Sequence, residues 1–254
     1  MNTVLITGCS SGFGREIADY FLGQGWQVIA TMRTPNPEVL PRSERLRILA
    51  LDVTQAASIE QTLAQAGPID ALVNNAGIGV LNALEGIPMA TVREVFETNT
   101  FGTIALCQAV LPQFRQRKAG VIVNVTSTVT VKSLPLLSVY TASKAAVNAF
   151  TESLALELEP FGIRTQLVLP GRSPTTRFGE NARTRMQAGF PEPYAALAQQ
   201  VIAGVTQAEG PVTHASDVAE AVWRAVTDPS SPKRLPAGAD AVEWMAQAAS
   251  PAHS

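Results

Sequence analysis

Val4-Leu5-Ile6-Thr7-Gly8-Cys9-Ser10-Ser11-Gly12-Phe13-Gly14 is the stretch on which the reading of this chain turns. A short apolar run gives way to a turn with three glycines, and a helical pattern follows over residues 13–22. Glycine reaches positive φ without a steric penalty and lets backbone N–H groups come close to an anion. The helix N-terminus that follows adds a partial positive charge. A strand, this turn and a helix therefore make a seat suited to a pyrophosphate. The spacing is Gly-x-x-x-Gly-x-Gly, not Gly-x-Gly-x-x-Gly. An ordinary tight strand-to-helix turn would use the same residues. Gly8-Cys9-Ser10-Ser11-Gly12 also fits the Gly-x-Ser-x-Gly elbow of a serine hydrolase, with Ser10 as nucleophile. That chemistry needs a histidine base placed after an acid, and the chain offers only His214 and His253.

Outward from this turn, short apolar runs alternate with longer helical patterns. Strands are expected at residues 4–7, 27–31, 46–51, 69–74, 120–126 and 163–169, most of them nearly continuous in Val, Ile and Leu. Such runs suit parallel strands covered on both faces. Helices are expected at residues 13–22, 58–66, 89–114 and 138–158, with Pro112 ending or bending the third. This alternation predicts a single α/β domain over residues 1–254, a Rossmann-type doubly wound parallel sheet with helices on both faces. Ligands of such sheets bind beyond the carboxyl ends of the strands, where the strand order reverses. Residues 172–214 break the rhythm with Pro174, Pro191, Pro193 and Pro211, and read as a substrate-side loop or lid with one or two short helices near residues 194–205.

With 46% hydrophobic and 16% charged residues in a chain of 254, there is enough apolar material for a sizeable core. The net charge of −2 and the lack of a basic tract argue against a nucleic-acid partner. No apolar stretch approaches the length of a membrane span, and the glycine turn begins too early to leave room for a signal peptide. Cys9 and Cys107 cannot build a disulfide framework. These features together predict a cytoplasmic protein without a membrane partner.

The chemistry is expected at Tyr140-Thr141-Ala142-Ser143-Lys144, inside a helical pattern that sets Tyr140 and Lys144 one turn apart on one face. Reducing a carbonyl requires a proton donor at the developing alkoxide. A tyrosine titrates at about 10, and a nearby ammonium favours its phenolate. The pair would also suit a solvated helix face. Ser127 follows an apolar strand, at the edge where doubly wound sheets place their chemistry. It could orient a carbonyl, or simply cap a turn.

With these residues in view, the chain resembles the short-chain dehydrogenase/reductase family over nearly its whole length, and within it the NADP-dependent hydroxysteroid-dehydrogenase-like members. The resemblance rests on Thr7-Gly8-x-x-x-Gly12-x-Gly14, Asn74-Asn75-Ala76-Gly77, Asn99, Ser127, Tyr140-x-x-x-Lys144 and Pro170-Gly171. It implies that Tyr140 is the general acid/base. Lys144 would hold the cofactor ribose and lower the Tyr140 pKa, Ser127 would stabilise the oxyanion, and Asn99 would help retain a proton-relay water. It further implies a dinucleotide held by Gly8, Ser10, Ser11, Gly12, Phe13 and Gly14. Asp52 and Val53 would lie by the adenine, and Asn75, Ala76 and Gly77 alongside. Pro170, Gly171, Tyr140 and Lys144 would also belong to the cofactor site, and Thr175 would contact the nicotinamide carboxamide. Where many members continue Pro-Gly-x-Val/Ile-x-Thr, this chain has Arg172-Ser173-Pro174-Thr175.

Cofactor choice falls at the end of the second strand, where Thr31-Met32-Arg33 carries no carboxylate. An acid there would bind the ribose hydroxyls of NAD, whereas Arg33 offers a planar cation for the 2′-phosphate of NADP(H); the resemblance implies that Ser11 would share that phosphate. An exposed arginine facing only water is the other reading. No metal is expected. The expected substrate is a small-molecule carbonyl or secondary alcohol, medium-sized and apolar. Phe178, Met186, Phe190, Tyr194, Leu197 and Val201 could line an apolar lid or merely pack it down. Arg177, Arg183 and Arg185 suit either an anionic substrate or a solvated face. A homodimer or homotetramer is implied through the long helices near residues 100–114 and 138–158. Ala142, Ala145, Ala146 and Ala149 would either allow close packing there or face the sheet. A non-catalytic dinucleotide sensor would need the glycine turn but not Asn99, Ser127, Tyr140 and Lys144.

Overall fold

The structure, a computed structural model, describes residues 1–174, 189–206 and 210–249. In chain order its main elements are β1 (Thr3–Ile6), α1 (Gly12–Gly23), β2 (Gln27–Met32), β3 (Leu46–Ala50), α2 (Ala56–Ala66) and β4 (Ala71–Asn74). Then follow α3 (Met89–Phe96), α4 (Gly102–Arg117), β5 (Gly120–Val125), α5 (Ser138–Leu158), β6 (Ile163–Pro170), α6 (Ala195–Thr206), α7 (Ala215–Thr227), β7 (Arg234–Ala237) and α8 (Ala239–Ala249). The strands form one parallel sheet of seven, in the order β3-β2-β1-β4-β5-β6-β7. The order reverses between β1 and β4, and the glycine turn leaves β1 at that point.

Alternation along each strand sends successive side chains to opposite faces. Val4 and Ile6 enter one apolar layer with Phe21 of α1 and Val218 and Val222 of α7, while Leu5 enters the other with Leu106 and Phe114 of α4 and Leu154 of α5. Both faces of the sheet are thus covered, which explains why the strands read as unbroken apolar runs. On the α1 side the core is aromatic: Phe21 stacks edge-on against Trp26 and Trp223, with centroids 5.3 and 5.1 Å away.

Several expectations need correction. Pro112 does not end its helix: α4 runs through it to Arg117, where Lys118 closes the helix in a left-handed conformation at φ 51°. Proline removes one backbone donor, but Val110 and Phe114 on either side of it are fully buried, and their packing holds the turn. The helix expected over residues 89–114 is divided instead by a π-turn at Glu97–Phe101. β7 lies outside the expected strands, because Pro236 stands inside it. Proline is tolerated there since β7 is an edge strand, paired only with β6. The helices α7 and α8 are likewise additions to the expected pattern.

Of residues 172–214, the described portion contains α6, close to the expected helix near 194–205. Phe190, Tyr194 and Val201 pack against Leu81, Ala83 and Leu136, so these three serve to seat the segment on the domain. Leu197 remains partly exposed. Thr175, Arg177, Phe178, Arg183, Arg185 and Met186 lie outside the described residues. Among the described residues no helix is long and apolar enough to cross a membrane.

Candidate active site

A cleft of about 450 Å³ runs across the carboxyl ends of the strands, within the usual size of small-molecule sites. Its first wall is the glycine turn. Gly8 and Gly12 take positive φ, at 74° and 57°, which side-chain-bearing residues rarely adopt. Ser11 is the residue before α1, and its hydroxyl makes no capping bond to the helix, so it is free to meet a ligand. Gly8, Ser10, Ser11, Gly12 and Phe13 all line the cleft. Gly14 does not: a Cβ there would lie 2.3 Å from the Gly8 carbonyl oxygen and 2.6 Å from Asn75 Nδ2. Its role is to let α1 and the loop after β4 close on the turn.

That loop is laced to β1. Asn75 N and Ala76 N donate to Thr7 Oγ1 at 3.0 and 2.9 Å, and Asn75 Nδ2 donates to the Thr7 carbonyl at 3.0 Å. Asn75, Ala76 and Gly77 are thereby held along the cleft. Thr7 was passed over as a site residue, although it stands inside the motif and does this fastening.

At the β2–β3 end stand Arg33, exposed at the rim, and Asp52 and Val53. Asp52 Oδ1 accepts from Thr54 N at 3.0 Å and Thr54 Oγ1 at 2.7 Å, which orients the carboxylate. Val53 is buried against Gly102, where an added Cβ would lie 2.8 Å from Val53 Cγ2.

The opposite end is buried. Tyr140 and Lys144 of α5 are 7% and 6% exposed and face the cleft together. Lys144 Nζ donates to the Val125 carbonyl at the end of β5, at 2.9 Å. Burial lowers its ammonium to about 8. Burial also pushes the Tyr140 phenol well above the ordinary tyrosine range, and its hydrogen bond with the Ser127 hydroxyl pulls it partly back. Of the influences on Tyr140 here, desolvation is the largest, while Lys144 is engaged with a backbone carbonyl. Ser127 is buried just after β5, and its Oγ also accepts from Val129 N at 3.3 Å.

Asn99 is buried in the π-turn. Its Oδ1 accepts from Ile78 N at 2.8 Å, and its Nδ2 donates to the Ile78 carbonyl at 2.9 Å and to Ser143 Oγ at 3.0 Å. Ser143 Oγ in turn donates to the Tyr140 carbonyl at 2.7 Å. The wide turn thus aims Asn99 between the loop after β4 and α5. A Cβ on Gly77 would come within 3.2 Å of Asn99 Oδ1 and 3.3 Å of Lys144 Nζ, so Gly77, Asn99 and Lys144 converge. Ser143 was missed, since nothing in its local sequence marks a hydroxyl bonded on both sides.

Pro170 and Gly171 stand at the end of β6 beside the Ser127 turn, away from the cleft lining: Thr128 Oγ1 donates to the Pro170 carbonyl at 3.1 Å. Among the described residues the hydrolase arrangement is not assembled. His214 starts α7, with its backbone N–H on Asp217 Oδ2 at 2.8 Å, and among the described residues no histidine lines the cleft with Ser10.

A sequence model of the short chain dehydrogenase family matches residues 2–186, most of the chain. The chain belongs to that family. Among curated members, it is 36% identical over 242 residues to a 3-ketodihydrosphingosine reductase of Bacteroides thetaiotaomicron, covering 92% of this chain and 87% of that one. It is 41% identical over 203 residues to retinol dehydrogenase 8 of Bos taurus, covering 74% of this chain and 64% of that longer relative. A solved short-chain dehydrogenase from Streptomyces avermitilis superposes with a TM-score of 0.82 at 35% identity, covering 97% of this chain and 92% of that one. Similar structures hold either nucleotide. A serine dehydrogenase is complexed with NADP+ (TM-score 0.79, 30% identity, 93% and 94% covered), and a family member from Burkholderia phymatum is complexed with NAD (TM-score 0.77, 25% identity, 93% and 88% covered). As a short-chain dehydrogenase, the protein is an oxidoreductase of a family that uses nicotinamide dinucleotides.

Proposed function

We propose that this short-chain dehydrogenase is an NADP(H)-preferring reductase of medium-sized apolar ketones, or the corresponding secondary-alcohol dehydrogenase. The observation that carries the reading is the pairing of Tyr140 with Ser127 at the buried end of a cleft that has Arg33 at its open end. The residues present fit a dinucleotide. Two positive-φ glycines and an uncapped helix start would seat the pyrophosphate, the Ser11 hydroxyl and Arg33 the 2′-phosphate, and Asp52 the adenine. When bound, the nicotinamide supplies or takes up the hydride.

The chain's own residues do the rest. Ser127 Oγ donates to the carbonyl oxygen and holds it beside the Tyr140 hydroxyl. Tyr140, kept neutral at physiological pH by burial, transfers its O–H proton to that oxygen as the C=O bond becomes a C–O–H. Lys144 holds the ribose and stands ready to return a proton to Tyr140, a transfer eased by a lysine that titrates near 8. Asn99, clamped on Ile78 and Ser143, keeps α5 and the loop after β4 in place and borders the path of a relay water.

The described residues build a single α/β domain, and we assign the described part of residues 172–214 to its substrate side. Relatives named for a 3-keto compound and for retinol support an apolar substrate. Ala142, Ala145 and Ala149 face outward from α5 and Ala146 is half-buried, which favours the helix-packing alternative and a homodimer or homotetramer through α4 and α5. Free, buried Cys9 and Cys107 suit the cytoplasm.

The test is a parallel fluorescence titration with NADPH and NADH, followed by a panel of apolar ketones under the better cofactor. Tight NADPH, weak NADH and turnover on the panel are expected. Folded protein that binds neither would overturn the reading, and equal binding of both would remove the 2′-phosphate role from Arg33.

A further inference from the structure

Behind the turn after β6, which adjoins the Ser127 turn, lies a buried carboxylate that the mechanism above leaves unused. Asp240, in the first turn of α8, is 3% exposed. Its Oδ2 accepts from Arg172 N at 2.6 Å and its Oδ1 from Thr213 Oγ1 at 2.7 Å. Thr213 is itself fully buried. Its Oγ1 accepts from Gly171 N at 2.9 Å and lies 2.8 Å from the Ala237 carbonyl oxygen, so its single proton has two acceptors. Three separate stretches meet here: the turn after β6, the residues before α7, and the start of α8.

Two glycines are shaped to the cluster. A Cβ on Gly171 would lie 2.2 Å from Asp240 Oδ2, and one on Gly238 would lie 2.2 Å from Thr213 Oγ1. Burying a carboxylate is costly unless donors meet both its oxygens, and here they do. An apolar residue of similar size would fill the space but leave Arg172 N without its acceptor.

The position of this cluster along the sheet is what matters. β6 is the neighbour of β5, whose end carries Ser127, and the Thr128 hydroxyl joins the two turns through the Pro170 carbonyl. The same helix α8 sends Trp244 under Lys132, whose Nζ lies 4.2 Å from the ring centroid. Arg33 and Asp52 stand at the other side of the switch point, after β2 and β3.

We propose that Asp240 is a positioning residue for the reacting end: through Thr213 and the backbone of Gly171 and Arg172 it sets the turn after β6 against the Ser127 turn. The nicotinamide half of a bound dinucleotide then depends on Asp240, and the adenosine half does not. This inference rests on the dinucleotide reading of the cleft.

The experiment compares two ligands on the full chain: NADPH, and 2′-phospho-ADP-ribose, which lacks the nicotinamide (NADH and ADP-ribose should those bind better). In Asp240→Ala, NADPH affinity falls about tenfold or more and the nicotinamide fluorescence shift on binding shrinks, because the turn is released. The fragment binds within about twofold of wild type. Asp240→Asn recovers NADPH binding to within about threefold, since its Oδ1 can accept from Arg172 N and its Nδ2 can donate to Thr213 Oγ1. Gly171→Ala, which pushes the turn off the carboxylate, gives the same selective loss and carries the test if Asp240→Ala does not fold. Wild-type NADPH binding in Asp240→Ala would overturn the proposal, and so would equal loss of both ligands, the mark of a merely structural role. Wild-type protein that binds neither ligand would instead bring down the dinucleotide reading.

Discussion

Arg33 and Lys144 are the cations at the two ends of one cleft, and their surroundings are opposite. Arg33 follows β2 and stands exposed to solvent at the rim of the cleft. Lys144 is 6% exposed, donates to the Val125 carbonyl and stands beside Gly77 with Asn99, itself fixed to Ile78 and Ser143. An exposed cation acts as a screened point of attraction, which a substitution removes without disturbing its neighbours. A buried one is part of a packed hydrogen-bonded assembly, where each change reaches several groups. A substitution at the open end is therefore expected to act locally, whereas one at the closed end reaches the packed assembly around it.

The largest effect is expected deepest in the cleft. Tyr140→Phe removes the only proton that the phenol offers and leaves the ring in place. Turnover should fall by about 100- to 10,000-fold while NADPH titrates nearly as in wild type. Measured side by side on one ketone, near-normal turnover in this variant would break the distinction between the two ends.

Lys144→Met sharpens it through stability. The folded-state lysine titrates near 8 against 10.5 when free. Between those pH values the unfolded chain binds more protons than the folded one, so raising pH stabilises wild type. The penalty for the buried charge is complete below about pH 8 and is gone above about 10.5. Across that window wild type should gain about 3 kcal/mol relative to Lys144→Met, which has no such proton to lose. Urea unfolding of both proteins at several pH values reads this directly, and a constant difference would mean that the ammonium is not desolvated.

At the open end, Arg33→Ala should weaken NADPH by roughly 10- to 100-fold and leave NADH within about twofold. The wild-type preference should also shrink as salt is added, as expected for an exposed charge. Equal loss of both nucleotides in the titration would return Arg33 to the solvent. Ser10→Ala should be the mildest change, within about threefold in both turnover and NADPH affinity, because its hydroxyl is exposed on the turn. Complete loss of activity there would restore the nucleophile reading.

Legibility followed the same division. Thr7, Gly8, Gly12 and Gly14, then Asn74 to Gly77, then Tyr140 and Lys144 are recognisable because each set lies within one turn or one helical step, where spacing dictates geometry. The six strands of Val, Ile and Leu could be read for a similar reason, since both of their faces are covered. β7 could not, because Pro236 argues against a strand until its edge position is known. The π-turn at Glu97–Phe101 leaves no compositional trace, and its reason emerges only where Asn99 meets Ile78 and Ser143. The Asp240–Thr213–Arg172 cluster joins residues that are distant in sequence, and no local pattern announces it.

By itself the sequence determined the α/β architecture, the glycine turn at the end of β1, and the spacing of the candidate groups proposed to move a proton. These depend on local spacing and on the alternation of apolar runs. The tertiary structure alone decided how those groups are tuned. Tyr140 is raised by burial, Gly14 lets α1 close on the glycine turn, and the turn after β6 is held from the C-terminal helix. Desolvation and long-range hydrogen bonds belong to the surroundings of a residue, and those surroundings exist only once the chain has folded.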